Sequence, residues 1–459
     1  MSASRPLLFA AAASLLLPVA AARADEGMWT FDAFPAERMR AAYGWAPDQA
    51  WLDKVRAGAV RLTGGCSASF VSAEGLILTN HHCVATCVEQ NSTAANNRLK
   101  AGFTARTRAE EIPCAGQQAE VVTGIRDVTA EMKAAIGSRS GADAVKARTA
   151  AAAAIEKAGC TDLATTRCQL VTLYGGGQYR LYTYRKYSDV RLVWVPEAQA
   201  AQFGGDPDNF NFPRYSMDAA FLRAYEGGRP VATPEHLEWS ARPPKDGEAT
   251  FVVGNPGSTQ RMFTSEQLAF QREMVLPITV TTLSELRGRL IAAMASDPAK
   301  AREGAETLGG IENSLKVAIG RQRALNDPAF VSRLFTAEAD LKRRSQGNAA
   351  IGNPWRDIDR AVDRYRSFYV ADRYSLPSGE LFDYAITLVR LASERAKPAG
   401  DRLPGFSDSA IPLLEKKITD ARPIHPWLDR LRMEWSLSKA REYLGADHPQ
   451  VRVLLGRES

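Results

Sequence analysis

The residues best suited to chemistry lie early in the chain and close together. Gly65-Cys66-Ser67-Ala68-Ser69-Phe70 is followed, past a short turn, by Leu78-Thr79-Asn80-His81-His82-Cys83. Two strand-like runs thereby bring one cysteine beside a second that directly follows a histidine. A disulfide between them would staple the loop and hold the His82 imidazole still. That matters because a general base works only within about 3 Å of the group it deprotonates. A histidine base also needs a carboxylate to orient it and to stabilise its cation. The segment from Phe203 to Asp218 offers Asp206, Asp208 and Asp218. Asp218 stands directly ahead of the apolar run Ala219-Ala220-Phe221-Leu222, and so at the mouth of a strand. Asp206 and Asp208 are rivals on chemistry alone. The plainer readings are a structural histidine and a turn aspartate.

The first 24 residues read as an export signal. Arg5 supplies the positive start, Leu7 through Ala22 an apolar stretch broken by Pro18, and Ala22-Arg23-Ala24 the small residues of a cleavage site. Cleavage after Ala24 is expected, with a retained anchor as the alternative. Export changes how the six cysteines read, namely Cys66, Cys83, Cys87, Cys114, Cys160 and Cys168. In an oxidising compartment an even number suggests disulfides whose connectivity sequence alone leaves open. Neighbours along the chain suggest Cys66–Cys83, Cys87–Cys114 and Cys160–Cys168. A metal site at His81, His82, Cys83 and Cys87 competes, but no second cluster of zinc ligands at familiar spacing accompanies it.

The elements that must position these residues are legible in outline. Ala59–Leu62, Ser67–Val71 and Leu76–Thr79 are short β-like runs, and Ser72-Ala73-Glu74-Gly75 reads as a hairpin turn. An Ala-rich helix is expected over Ala142–Lys157. Strands return at Gln169–Tyr174, Tyr179–Tyr187, Asp189–Val195, Ala219–Tyr225 and Thr250–Val253. From about Ser265 the period becomes helical. Leu283, Leu286, Leu290, Ile291 and Met294 share one face, as do Val331, Leu334 and Phe335, and later Ile358, Val362, Tyr365 and Phe368. Prolines at 298, 328, 354, 377, 398, 412 and 426 punctuate this part at helical-hairpin intervals. The expected division is a signal over 1–24, a β-rich region over 25–262 and an all-helical region over 263–459. The last apolar pattern, Val451–Leu455, is followed by only four residues. It reads as an interrupted domain, or else as a short terminal helix docked on the bundle.

Composition excludes several classes. With 45% hydrophobic, 24% charged and 8% aromatic residues, the chain is neither disordered, collagen-like nor multispanning. The net charge of +6 is spread without runs of like charge, so it reads as a solvated surface; nucleic-acid binding is the weaker alternative.

Several stretches together resemble the bacterial serine dipeptidyl aminopeptidases of the dipeptidyl-peptidase 7 and dipeptidyl-peptidase 11 family. They are Asp25-Glu26-Gly27-Met28-Trp29, the Gly65–Phe70 and Thr79–Cys83 segments, Phe203–Arg214, and Val253-Gly254-Asn255-Pro256-Gly257-Ser258-Thr259. The resemblance implies an α+β fold: a chymotrypsin-like double β-barrel, the second barrel incomplete here, with a large inserted all-helical domain capping the cleft. It implies release of dipeptides from the free N-terminus of oligopeptides in the periplasm, without metal or cofactor, free of nucleic acid and of membrane, with a homodimer possible. It places the base at His82 and the orienting acid at Asp218. Asn209 and Asn313 fall where the family grips the substrate's α-amino group, and Phe210 where many members carry Trp. No Gly-x-Ser-x-Gly occurs anywhere in the sequence. The family's serine follows the helical domain, so the nucleophile is expected to be missing from this chain, and the chain alone is expected to be inactive. Ser258 is the tempting substitute, but its segment resembles a different, non-catalytic motif. The alternative is a catalytically inactive periplasmic peptide-binding or structural fragment.

Overall fold

The computed structural model describes residues 27–456 apart from residues 94, 202, 203, 207, 212, 258, 350 and 420–423. The expected signal over 1–24 and its cleavage site lie outside the described residues, as does Ser258. Two compact units are present. The smaller comprises the residues up to Asp53 together with Trp239–Val252, and the larger Lys54–Glu238 with Val253–Ser459.

In the larger unit the described strands form one antiparallel sheet. In chain order they are β1 (Ala59–Leu62), β2 (Ser67–Phe70), β3 (Leu76–Thr79), β4 (Phe103–Thr104), β5 (Ile112–Pro113), β6 (Ala119–Asp127), β7 (Thr166–Leu173), β8 (Gln178–Tyr187), β9 (Asp189–Val195), β10 (Ala220–Glu226) and β11 (Arg229–Pro230). The spatial order is β4-β9-β10-β3-β2-β1-β6-β8-β7, with β5 on β9 and β11 on β10. Buried and half-buried positions alternate along β1, β2 and β3, as the pleat requires of strands that bury one face. Val60, Leu62, Phe70, Ile77, Leu192, Leu222 and Ala224 form a core from which water is excluded. Each large side chain buried there contributes roughly 1.5–3 kcal/mol. The turn between β2 and β3 ends at Gly75, whose φ of +66° and whose approach to the Ala224 carbonyl leave no room for a side chain.

Strand β6 escaped the sequence reading. Its buried face carries Glu120, which takes a bidentate ion pair from Arg167 on β7, with both contacts at 2.6 Å. Gly124 sits at a register shift. A buried charge and a bulge together erase the apolar alternation that marks a strand. Conversely, no strand forms at 250–253. In the smaller unit Phe251 instead packs among the rings of Phe34, Trp45 and Trp51, and Val252 is fully exposed. An apolar run becomes a strand only where a neighbour completes its hydrogen bonds.

A helix at Gly141–Gly159 covers a second, smaller core of Val128, Met132, Ile155 and Leu181. From Ser265 onward the described chain is helical, and its starts follow from composition. Pro298, Pro328 and Pro354 each open a helix, and Asp297, Asp327 and Asn353 cap the free N–H groups behind them. Leu286 and Leu290 pack with Ile311 and Trp435. Ile291 instead stays exposed, and the helix Pro328–Ser345 buries none of its residues, Phe335 included. Pro449–Leu455 is a short helix whose Val451 docks against Tyr374 and Ala440. Among the described residues, no helix is long and apolar enough to cross a membrane.

Candidate active site

The register of β3 on β10 pairs Thr79 with Ala220. Continuing that register past the strand ends sets His81 opposite Asp218 and brings His82 within reach of its carboxylate. His82 lies on the short 3-10 helix His81–Val84 that begins directly after β3. Its Nδ1 is 2.9 Å from Asp218 Oδ2 and 3.2 Å from Oδ1, and its backbone N–H donates to Oδ1 at 3.1 Å. The Asp218 side chain is only 7% exposed and the His82 ring 47%. The pair therefore has a buried anchor and an accessible working end. Asp218 is the carboxylate that meets His82; Asp208 accepts the Tyr215 N–H at 2.9 Å, and the Asp206 carbonyl accepts Lys316 Nζ at 2.6 Å.

Burial works to raise the Asp218 carboxyl, but the His82 side-chain and backbone donors, the His82 charge and Arg214 outweigh it and hold the group below the usual carboxylate value. A carboxylate anionic at neutral pH that accepts from Nδ1 favours the proton on that nitrogen and the lone pair on Nε2. The neighbouring His81 is buried, and that burial pushes its imidazole down, with Asp218 opposing and His82 adding to the drop.

Cys66 and Cys83 are bonded, with Cα atoms 6.2 Å apart, and Cys83 Sγ lies 3.5 Å from His82 Nε2. Cys87–Cys114 and Cys160–Cys168 are the other two bridges. Cys66, His82 and Cys83 are the one group among the described residues with metal-ligand proximity. Its sulfurs are joined to each other, so they offer no thiolate for a metal. The competing cluster at His81, His82, Cys83 and Cys87 likewise loses both sulfurs to disulfides. Behind the bridge, Ser67 Oγ accepts the Asn255 N–H at 2.6 Å, and a side chain on Gly254 would collide with Ser67. Gly254 and Asn255 of the Val253–Thr259 motif thus back the loop that carries the disulfide.

Asn209 and Asn313 form a second group. Asn209 is 2% exposed and donates from Nδ2 to the Gly204 carbonyl at 2.7 Å and to Asn313 Oδ1 at 3.0 Å. Asn313 lies on the helix Pro298–Asn326. Gly204, at φ +113°, presses on Gly309 of the same helix so closely that a Cβ would sit 2.9 Å from the Gly309 carbonyl. Phe210 is 60% exposed and holds a φ of +66°, a conformation a bulky residue adopts only under constraint. The loop bearing these residues runs on to Asp218. It is tied to the helix Ala198–Ala201 by Ser216 Oγ to the Ala201 carbonyl and Met217 N–H to the Ala200 carbonyl.

Sequence reasoning assigned no role to Asn80, which contacts Asp218 twice. Its position at the end of a strand, two residues before the histidine, was the available signal, but only the pairing of β3 with β10 turns that position into a contact.

The peptidase S46 family matches this chain over residues 24–459. Among curated relatives, an Asp/Glu-specific dipeptidyl-peptidase of Porphyromonas endodontalis is 28% identical over 77% of this chain and 53% of its own length. A dipeptidyl-peptidase 7 of Phocaeicola vulgatus is 28% identical over 74% of this chain and 51% of its own. The chain thus spans about half the length of these relatives. The crystal structure of Porphyromonas endodontalis DPP11 in complex with the dipeptide Arg-Glu superposes with a TM-score of 0.70 at 22% identity, covering 92% of this chain and 64% of that one. That likeness concerns the α+β fold, with its large antiparallel sheet and many helices.

Proposed function

The chain belongs to the peptidase S46 family, and from that premise we propose that it carries the general-base half of a serine-type dipeptidyl aminopeptidase. The observation that carries the reading is the 2.9 Å contact between His82 Nδ1 and the buried Asp218 carboxylate. In this reading His82 Nε2 takes the proton of a serine as that oxygen attacks the carbonyl of the second substrate residue. Asp218 stabilises the imidazolium that forms, and His82 then returns the proton to the departing amine. The dipeptide stays as an acyl ester until water, deprotonated by the same imidazole, releases it. No serine among the described residues is assigned as the nucleophile in this reading.

Asn209 and Asn313 serve the substrate's α-ammonium through amide oxygens, and Phe210 presents its ring beside them. A buried ammonium requires such acceptors. Residues 25–262 supply the β-region of a chymotrypsin-like double barrel, the second barrel incomplete, and residues 263–459 the helical cap that sets the depth of the cleft. The substrates are oligopeptides with a free N-terminus. The protein is exported, cleaved after Ala24, periplasmic and able to pair as a homodimer. A second reading is peptide binding without turnover, carried by the hydrogen bond between the buried Asn209 and Asn313.

The test compares these 459 residues with the product of the complete reading frame on dipeptidyl chromogenic substrates, free and N-acetylated. The expected result is turnover of the free-amino substrate by the full product alone, blocked by serine-directed inhibitors and by His82→Ala. Calorimetric binding of the same peptides with no turnover in either protein would favour the second reading. Equal cleavage of the acetylated substrate would sink the aminopeptidase assignment.

A further inference from the structure

Asn80 is held between two oxygens of one residue. Its Nδ2 is 3.0 Å from the Asp218 main-chain carbonyl and 3.2 Å from Asp218 Oδ2. Both partners are acceptors only, so the amide group has one workable orientation, with its two N–H bonds aimed at them. A single NH2 group that spans the backbone and side chain of Asp218 limits rotation of the carboxylate about its own Cα–Cβ bond.

The distribution of donors on that carboxylate is informative. Oδ1 receives the His82 backbone N–H and faces Nδ1 at 3.2 Å; Oδ2 faces Nδ1 at the shorter 2.9 Å and receives Asn80. Among the described residues, the hydrogen-bond donors left on the carboxylate without Asn80 are those of His82, with Arg214 acting through its charge. Both His82 donors lie on one residue and tolerate a rotation that exchanges the two oxygens. Asn80 breaks that equivalence. It fixes which oxygen meets the imidazole and does so from β3, the same strand that launches the helix bearing His82. Base and acid are thereby referenced to one rigid element. Asn80 lies in extended backbone, with φ −82° and ψ 151°, so its side chain is set by the strand end rather than by a mobile loop.

We propose that Asn80 is a positioning residue for the His82–Asp218 pair, locking the Asp218 carboxylate so that His82 is held as the single Nδ1–H tautomer, which leaves the basic lone pair on Nε2. The inference rests on the reading of His82 and Asp218 as base and orienting acid. It assigns Asn80 no contact with substrate.

The test is spectroscopic and needs no nucleophile, so its failure is separable from a failure to cleave peptides. The chain has five histidines, and the imidazole nitrogens of the 15N-histidine-labelled 459-residue protein are assignable by loss of one set in His82→Gln. The expected result for the unaltered chain is a protected His82 Nδ1–H proton and one tautomer. Asn80→Ala mixes the tautomers and speeds exchange of that proton about tenfold, the weight of one hydrogen bond to a charged group, while near-UV dichroism and urea midpoint stay close to those of the parent. Asn80→Ser, which restores one short donor, gives intermediate exchange. Should Asn80→Ala fail to fold, Asn80→Ser decides by the same spectra. A single tautomer with unchanged exchange in the folded variant would overturn the proposal and leave Asn80 a brace of the strand end.

Discussion

The sheet and the helices of this chain are built to different tolerances. Around β1, β2, β3 and β10 the core is continuous, with Val60, Ile77, Leu192, Ala220 and Leu222 fully enclosed, and Cys66–Cys83 and Cys87–Cys114 bridge its rim. The helical region divides its apolar contacts among several small clusters, and the helix Pro328–Ser345 has no fully buried residue. The difference follows the work proposed for each. A proton relay tolerates errors of a few tenths of an ångström and needs a close-packed frame. A cap that admits and grips peptides needs contacts that open at little cost, and scattered clusters provide them. The two meet where Asn209 on the sheet-side loop bonds Asn313 on a helix.

The sharpest way to break the comparison is to compare one substitution from each side of that meeting point in the complete-reading-frame enzyme. Asp218→Asn should lower kcat by about 10⁴-fold with little change in KM, because it removes the tautomer control of the base. Asn313→Ala should chiefly raise KM, by roughly tenfold, because a hydrogen bond to the substrate's charged end is lost. Steady-state kinetics on one dipeptidyl substrate separates the two; a kcat effect of equal size from Asn313 would erase the division of labour.

Stability should divide the regions in the same direction. Leu222→Ala, in the enclosed core, should cost about 3–4 kcal/mol in urea unfolding. Phe335→Ala, on a helix with no fully buried residue, should cost less, about 1 kcal/mol. Comparable losses from both would mean that the helix face is covered in solution.

The smallest effect concerns acid. The Asp218 carboxyl sits below its unfolded value of about 3.9, so the folded chain binds fewer protons there than the unfolded one. Its stabilisation is therefore complete above that value and is lost as pH falls through the folded one. Urea midpoints at pH 7 and pH 3 should drop less in Asp218→Asn than in the parent. An identical drop would place the acid sensitivity elsewhere.

Much of this was written in local patterns. The β1–β3 runs alternate every second residue, and the Asp-Pro and Asn-Pro pairs mark helix starts, because propensity and capping act over a few residues. The Cys66 and His82-Cys83 spacing announced a stapled loop. What failed did so for reasons of context. Strand β6 was hidden by the buried Glu120–Arg167 pair, Thr250–Val253 found no strand to pair with, and Val331, Leu334 and Phe335 formed a face that is only half covered.

The sequence by itself determined the types of chemistry available: an imidazole, a set of aspartates, six cysteines and a family resemblance carried by short motifs. On chemistry alone it left Asp206 and Asp208 as rivals, the family resemblance pointed to Asp218, and it was silent about Asn80. Only the antiparallel register of β3 on β10 brought the Asp218 carboxylate within reach of His82 and set Asn80 onto it. A carboxylate acts on the group within hydrogen-bond reach, and residues 82 and 218 come within that reach only when two distant strands share their backbone hydrogen bonds.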